Sequence, residues 1–190
     1  DQRGDLRDLG ALLEIIADTE PEIVLHLAAQ PLVREGYRDP LGTYSSNVMG
    51  TLNLLEAIRQ VGCVRACVLV TTDKVYLNRE WEHGYRENDA LGGHDPYSAS
   101  KVGTEAAVAA WQQIQRISGG PKVVAVRAGN VIGGGDWGDN RLLPDLIRSF
   151  SSGQKMAVRN PASTRPWQHV LDPLSGYIST LEAILSNEKI

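Results

Sequence analysis

Only two of the 190 residues are cysteine, Cys63 and Cys67, and no second Cys or His pair accompanies them to complete a metal set. That count argues against a disulfide-stapled secreted domain and reads as reduced, packed thiols in a cytoplasmic protein. His83, His94 and His169 also lack metal-ligand spacing, and no metal is expected. Long apolar runs are missing: the run from Ala66 to Val70 stops far short of the roughly 20 residues that span a bilayer. No signal peptide is visible. Positive charge is in deficit, with 19 Lys and Arg against 23 Asp and Glu and a net charge of -4. The broad basic surface of a nucleic-acid binder is therefore absent, and an anionic ligand would have to be held locally. What is present, 42% hydrophobic and 22% charged residues, suffices for one sizeable core.

The apolar spacing changes period along the chain. Leu9, Leu12, Leu13, Ile15 and Ile16 fall at helical intervals, and Pro21 ends that segment before an apolar run from Ile23 to Ala28. A second helix is predicted from about Leu41 to Val61, and a strand from Ala66 to Thr71. Charged and Gly-rich residues from Val75 to Pro96 read as a long loop, a feature that in compact domains is usually functional. Helix is then predicted over Tyr97 to Ile117, strand over Lys122 to Arg127, and helix over Arg141 to Phe150 with Pro144 in its first turn. After shorter strands, Leu174, Tyr177, Ile178, Leu181, Ile184 and Leu185 mark a final helix. Alternating strands and helices imply an α/β fold, a doubly wound parallel sheet whose site lies at the carboxyl ends of the strands. No internal repeat or low-complexity segment is found.

Chemistry concentrates in three places. Tyr97-Ser98-Ala99-Ser100-Lys101 opens a predicted helix, so a phenol and an ammonium stand one turn apart on one face. Bringing a tyrosine from pKa about 10 to neutrality takes roughly 4 kcal/mol of phenolate stabilisation, part of which a neighbouring cation can supply. Taken alone, such a pair also suits a solvated helix face. Thr71-Thr72-Asp73-Lys74 sits at the carboxyl end of a strand, where three polar side chains are hard to explain as core. Asp73 acting only as a local backbone cap is the other reading. His26-Leu27-Ala28-Ala29-Gln30 ends the preceding strand with small residues, which suits either a flat ligand against the backbone or tight helix packing. Asn47, inside a helix, needs a partner for its amide.

Together these strings, with Asp5 in a GDxxD-like stretch and Asn47 ahead of Gly50-Thr51, resemble the extended short-chain dehydrogenase/reductase family over essentially the whole chain. Thr-Asp followed by a charged residue looks like its sugar-nucleotide 4,6-dehydratases. The stretches from Arg127 to Trp137 and from Arg165 to Val170 resemble the branch that acts on CDP-glucose. The resemblance implies NAD as cofactor, with Asp5, Leu6, Leu27, Ala28, Ala29, Asn47, Thr71, Tyr97 and Lys101 around it. It implies that Tyr97 takes the proton of the sugar C4 hydroxyl, that Thr72 bonds that hydroxyl, and that Lys101 holds the nicotinamide ribose. Asp73 would then be the acid at C6, and Lys74 stands where most dehydratases place a glutamate as the C5 base. Gln30, Asn130, Arg141 and Arg165 would bind the nucleotide sugar, with Arg159 a weaker candidate. Trp137 and Trp167 either border that pocket or simply pack. A homodimer built on the helices containing Asn47 and Tyr97 is also implied.

A Rossmann-type sheet needs a Gly-rich turn after its first strand, and none precedes Asp5; Gly133 to Gly135 follow the catalytic helix and cannot replace it. We expect an N-terminal unit on the order of 60 residues, and some C-terminal chain, to lie outside the sequence. Residues 1–130 are expected to form an incomplete NAD-binding domain and 131–190 part of a substrate-binding region interleaved with it. Such a piece should expose an unpaired apolar strand edge and bind NAD poorly. A sugar-nucleotide 4-epimerase and a catalytically silent NAD-binding protein are the alternative readings.

Overall fold

A computed structural model describes residues 1–158 and 160–186. Helix α1, Leu9–Thr19, starts where Asp8 accepts a hydrogen bond from the Ala11 amide, and ends at Glu20, which takes the left-handed conformation ahead of Pro21. The strands β1 (Ile23–His26), β2 (Ala66–Val70) and β3 (Lys122–Val126) are joined by helical crossovers and form one parallel sheet in the order β1-β2-β3. Between β1 and β2 the chain forms α2 (Val33–Arg38), α3 (Pro40–Tyr44), a π-helical turn (Ser45–Met49) and α4 (Gly50–Val61). Helix α5, Pro96–Ser118, is capped by Asp95, whose carboxylate accepts from the Ser98 amide at 3.0 Å, with proline in the first position.

Alternation along β2 explains its unbroken apolar sequence. Cys67 and Leu69 point into a cluster with Ile16 of α1, Leu54, Leu55 and Ile58 of α4, and Val108 of α5, while Ala66 and Val68 meet Leu181 and Ile184 of α7, Leu171–Leu185. A central parallel strand covered on both faces has no polar side. Burial pushes the Cys67 thiol up to about 12, which makes it an unreactive core residue. Leu55 is completely buried. Leu55→Ala should cost about 2–5 kcal/mol of stability, read as a lower denaturant midpoint at unchanged slope. By contrast β1 pairs only with β2 among the described residues, and its Ile23 and Leu25 are 41% and 44% exposed. These two lie beside Ala66 and Val68 in register, on the sheet face that α7 covers at β2 and β3. Among the described residues, then, β1 is the terminal strand and this face of it is uncovered.

The chain divides into two compact units, Asp1–Ala128 with the segment from Tyr177 onward, and Gly129–Gly176. The second contains a parallel pair, β4 (Asn130–Ile132) with β5 (Trp167–His169), and α6 (Leu142–Ser151), whose Pro144 sits in the first turn as predicted. Within it Arg148 ties the segment before α6 to the helix, pairing with Asp145 and Asp139 and donating to the Trp137 carbonyl. No helix among the described residues is long and apolar enough to cross a membrane, and none of their His, Cys, Asp and Glu clusters could hold a metal ion.

Candidate active site

The carboxyl end of β2 runs into a 3₁₀ turn, Asp73–Val75. Thr72 is the buried cap of that turn: its hydroxyl accepts from the Lys74 amide and donates to the Asp73 carboxylate at 3.1 Å. The Asp73 amide donates to the Ala128 carbonyl at 3.0 Å, which fixes the turn to the end of the neighbouring strand. Capping therefore belongs to Thr72, and Asp73 is not merely a cap.

Tyr97 and Lys101, one turn apart on α5, are both buried. Two glycines let the chain pack closely on this end of the helix. A Cβ on Gly36 would stand 3.1 Å from the Tyr97 backbone nitrogen, and one on Gly93 would stand 2.2 Å from that of Ala99. The Lys101 ammonium donates to the carbonyl of Val70, the last residue of β2, at 3.2 Å. Burial pushes this amine down to about 8. Lys74 approaches from the turn, exposed, with its ammonium 6.0 Å from the centre of the Tyr97 ring. Thr72, Asp73, Lys74, Tyr97 and Lys101 thus occupy one end of the sheet.

The π-helical turn resolves the position of Asn47. Its amide pairs with both backbone groups of Gln30, accepting from the N–H at 2.7 Å and donating to the C=O at 3.1 Å, and it also donates to the Ser100 hydroxyl at 2.9 Å. The Asn47 carbonyl accepts from the Thr51 and Thr104 hydroxyls at 2.7 and 3.0 Å. Local widening of a helix to this geometry is often found at functional sites. The result is a cross-link from the loop after β1, through Asn47, to the N-terminal end of α5.

That loop lines a cleft of about 340 Å³ bounded by Gly4, Asp5, Leu6, Ala28, Ala29, Gln30 and Ser46. Small side chains and backbone form its floor, the surface a flat cofactor needs. Hydrogen bonds from Arg7 hold the Asp5 carboxyl at about 2, so it is an ionised acceptor at the cleft. Leu27 is exposed but is not among the lining residues. Two expected contacts prove to be engaged within the protein. The Gln30 side chain bonds Leu32 through both its backbone groups and Thr43 through its hydroxyl, and so builds the turn that borders the cleft. The Asn47 side chain is likewise committed to Gln30 and Ser100. Asn130, Arg141 and Arg165 belong to the second unit, where Arg141 pairs with Asp136 at 2.9 Å and Arg165 donates to the Thr164 carbonyl. There too, Trp137 and Trp167 are exposed. Arg159 lies outside the described residues.

Further buried polar residues border the site, and Glu105 among them was not singled out in the sequence. Thr71 donates to buried Glu105 at 2.7 Å, and Glu105 is gripped by Arg127. Its position four residues after Lys101, on the same helix face, was the available signal. His26 stands 3.1 Å from the Thr51 hydroxyl, whose proton is given to Asn47, so the His26 Nε2 carries the ring proton. Burial, and secondarily the charge of Lys101, hold His26 down at about 4. An unfolded histidine protonates near 6.5, so between 6.5 and 4 the unfolded chain binds more protons than the folded one. This contribution is complete above that window and lost as pH falls through it, by on the order of 3 kcal/mol. Denaturant titrations across the window should show the loss, and His26→Gln should remove most of its pH dependence; identical profiles would contradict the assignment.

The chain matches the family model described as GDP-mannose 4,6 dehydratase over residues 2–189. It is 54% identical over 180 residues to a CDP-glucose 4,6-dehydratase of Salmonella typhimurium, covering 92% of this chain and 50% of that protein. A dTDP-glucose 4,6-dehydratase from Streptomyces venezuelae, solved with NAD and TYD bound, superposes with a TM-score of 0.83 at 25% identity, over 94% of this chain and 53% of its own. UDP-glucose 4-epimerase from Thermotoga maritima, solved with UDP-glucose, has a TM-score of 0.85 at 22% identity, over 95% of this chain and 58% of its own, a likeness of fold. The chain spans about half the length of the curated relatives it matches.

Proposed function

The chain belongs to the GDP-mannose 4,6-dehydratase family, and from that membership we propose that it carries the catalytic half of an NAD-dependent 4,6-dehydratase acting on CDP-glucose. The observation that carries this reading is the capped Thr72-Asp73-Lys74 turn standing beside buried Tyr97 and Lys101. The 54% identity to a CDP-glucose enzyme supports the choice of nucleotide. Ala28, Ala29, Asp5 and Leu6 fit the cofactor because they offer a shallow backbone floor with one ionised acceptor at its rim.

NAD, held by the cleft residues, would supply the acceptor for hydride from C4 of the sugar and the donor for its return at C6. Tyr97 accepts the proton of the C4 hydroxyl, and Lys101, fixed to the Val70 carbonyl, favours the phenolate and holds the nicotinamide ribose. Thr72 bonds the same hydroxyl. The C4 ketone acidifies the C5 proton, which Lys74 removes, while Asp73 protonates the departing C6 hydroxyl so that water leaves; Lys74 returns its proton to C5 as hydride is delivered to C6. Asn130, Arg141 and Arg165 bind the nucleotide diphosphate, the arginines through paired guanidinium hydrogen bonds. A 4-epimerase needs no acid and base for C5 and C6, and the Asp73-Lys74 pair speaks against it.

The enzyme is proposed to work as a homodimer. Leu41, Tyr44 and Met49 on the helices around Asn47, and Ile114 and Ile117 on α5, are exposed apolar residues of the kind such a contact buries. The two free cysteines fit a cytoplasmic setting. To test the substrate, the full-length protein loaded with NAD is incubated separately with CDP-glucose, UDP-glucose and dTDP-glucose. Loss of water from CDP-glucose is expected; loss only from another would keep the reaction and replace the nucleotide.

A further inference from the structure

One buried ion pair stands outside the mechanism and touches every segment around it. Glu105 follows Tyr97 by eight residues and Lys101 by four, so the three share a face of α5. Its side chain is 7% exposed and that of Arg127 is 19%. Arg127 grips both carboxylate oxygens, with its Nε at 2.8 Å, and donates from a third nitrogen to the Glu87 carbonyl at 3.0 Å. Its guanidinium lies over the Tyr76 ring, 4.7 Å from the centre. Tyr76 in turn stacks on Tyr85 at 5.0 Å, and Tyr85 meets Trp81 at 5.2 Å. On the other side Thr71 donates to Glu105. The pair therefore holds the residue before Thr72-Asp73-Lys74, the residue after Val75, and the far limb of the loop.

A buried ion pair is a poor device for stability, because desolvating two charges offsets most of their attraction. Its placement suggests a different use. Tyr97 and Lys101 have further anchors of their own, the Asp95 cap, the Asn47 bond to Ser100 and the Lys101 bond to Val70. Asp73 and Lys74 ride on a short turn whose flanks, Thr71 and Tyr76, are what Glu105 and Arg127 hold.

Resting on the dehydratase reading above, we propose that Glu105 and Arg127 are positioning residues for Asp73 and Lys74, setting proton transfer at C5 and C6 while leaving oxidation at C4 to Tyr97. The pair exchanges no atoms with substrate. Loosening it should uncouple the two halves of the reaction.

The test uses the full-length protein, loaded with NAD, in single turnovers with CDP-glucose, following reduced nicotinamide by absorbance and dehydrated product by mass spectrometry. Glu105→Gln weakens the pair and Arg127→Lys keeps the charge but loses the two-pronged fork. Both should oxidise C4 at the wild-type rate, then eliminate water on the order of a hundredfold more slowly, the loss that a displacement of about 1 Å brings. Reduced nicotinamide should accumulate. Tyr76→Leu leaves no buried charge unpaired and should show the same sign if the other variants fail to fold. In NAD-free Tyr76→Leu, hydrogen exchange should quicken at the Leu77 and Gly92 amides, which bond the Ala90 and Val75 carbonyls. Oxidation and elimination falling in proportion, or unchanged elimination with unchanged exchange, would overturn the inference. A wild-type protein that releases no water would instead overturn the reading beneath it.

Discussion

Replacing Tyr97 with phenylalanine is expected to lower turnover on the order of a thousandfold while leaving the protein folded and able to bind NAD. The substitution deletes one oxygen and keeps the ring that packs where Gly36 approaches the helix and Lys74 stands over its face. Lys101 keeps its hold on the Val70 carbonyl, so the cofactor side of the site is unchanged. Without the phenol nothing at that position can take the C4 hydroxyl proton, and oxidation stops before elimination can begin. Steady-state rates with CDP-glucose, together with NAD titration and thermal unfolding, check this. A variant retaining a tenth or more of the activity would remove Tyr97 from the proton transfer.

Asn47→Ala should be the most damaging substitution for stability outside the apolar core. It leaves the Gln30 N–H and C=O and the Ser100 hydroxyl without the amide that pairs them. A buried polar group stripped of its partner costs about 1–3 kcal/mol, so a total of roughly 3–5 kcal/mol is expected if water replaces only some of the contacts. NAD affinity should fall with it, because Gln30 and Ala29 line the cleft. Denaturant unfolding and NAD titration measure the two effects. Loss of affinity without loss of stability would mean that the Asn47 amide touches the cofactor itself.

Residues with a local signature were legible in the sequence. The apolar run of β2, the helix beginning at Tyr97, the Pro144 start of α6 and the polar end of β2 all follow from spacing and cap chemistry, and each lies within a residue or two of its predicted bounds. Helix α2 was not legible, since six residues are too few for a 3.6-residue period to show. Neither was the π-helical turn, which depends on threonine hydroxyls from two helices meeting the Asn47 carbonyl. The Glu105–Arg127 pair joins positions 22 residues apart, so although Glu105 shares the helix face of Lys101, no local pattern shows Arg127 as its partner. The structural part of Gln30 was hidden for a related reason: a polar residue at the end of a strand reads as ligand-facing, and only the fold shows that its amide also closes the turn that shapes the cleft.

In the proposed reaction hydride leaves C4 and returns to C6 as water is lost. CDP-glucose carrying deuterium at C4, incubated with the NAD-loaded protein, tests it most directly. The account predicts a product lighter by one water with the deuterium on the C6 methyl carbon. Deuterium returned to C4 in a sugar of unchanged mass would contradict it and make the reaction an epimerisation.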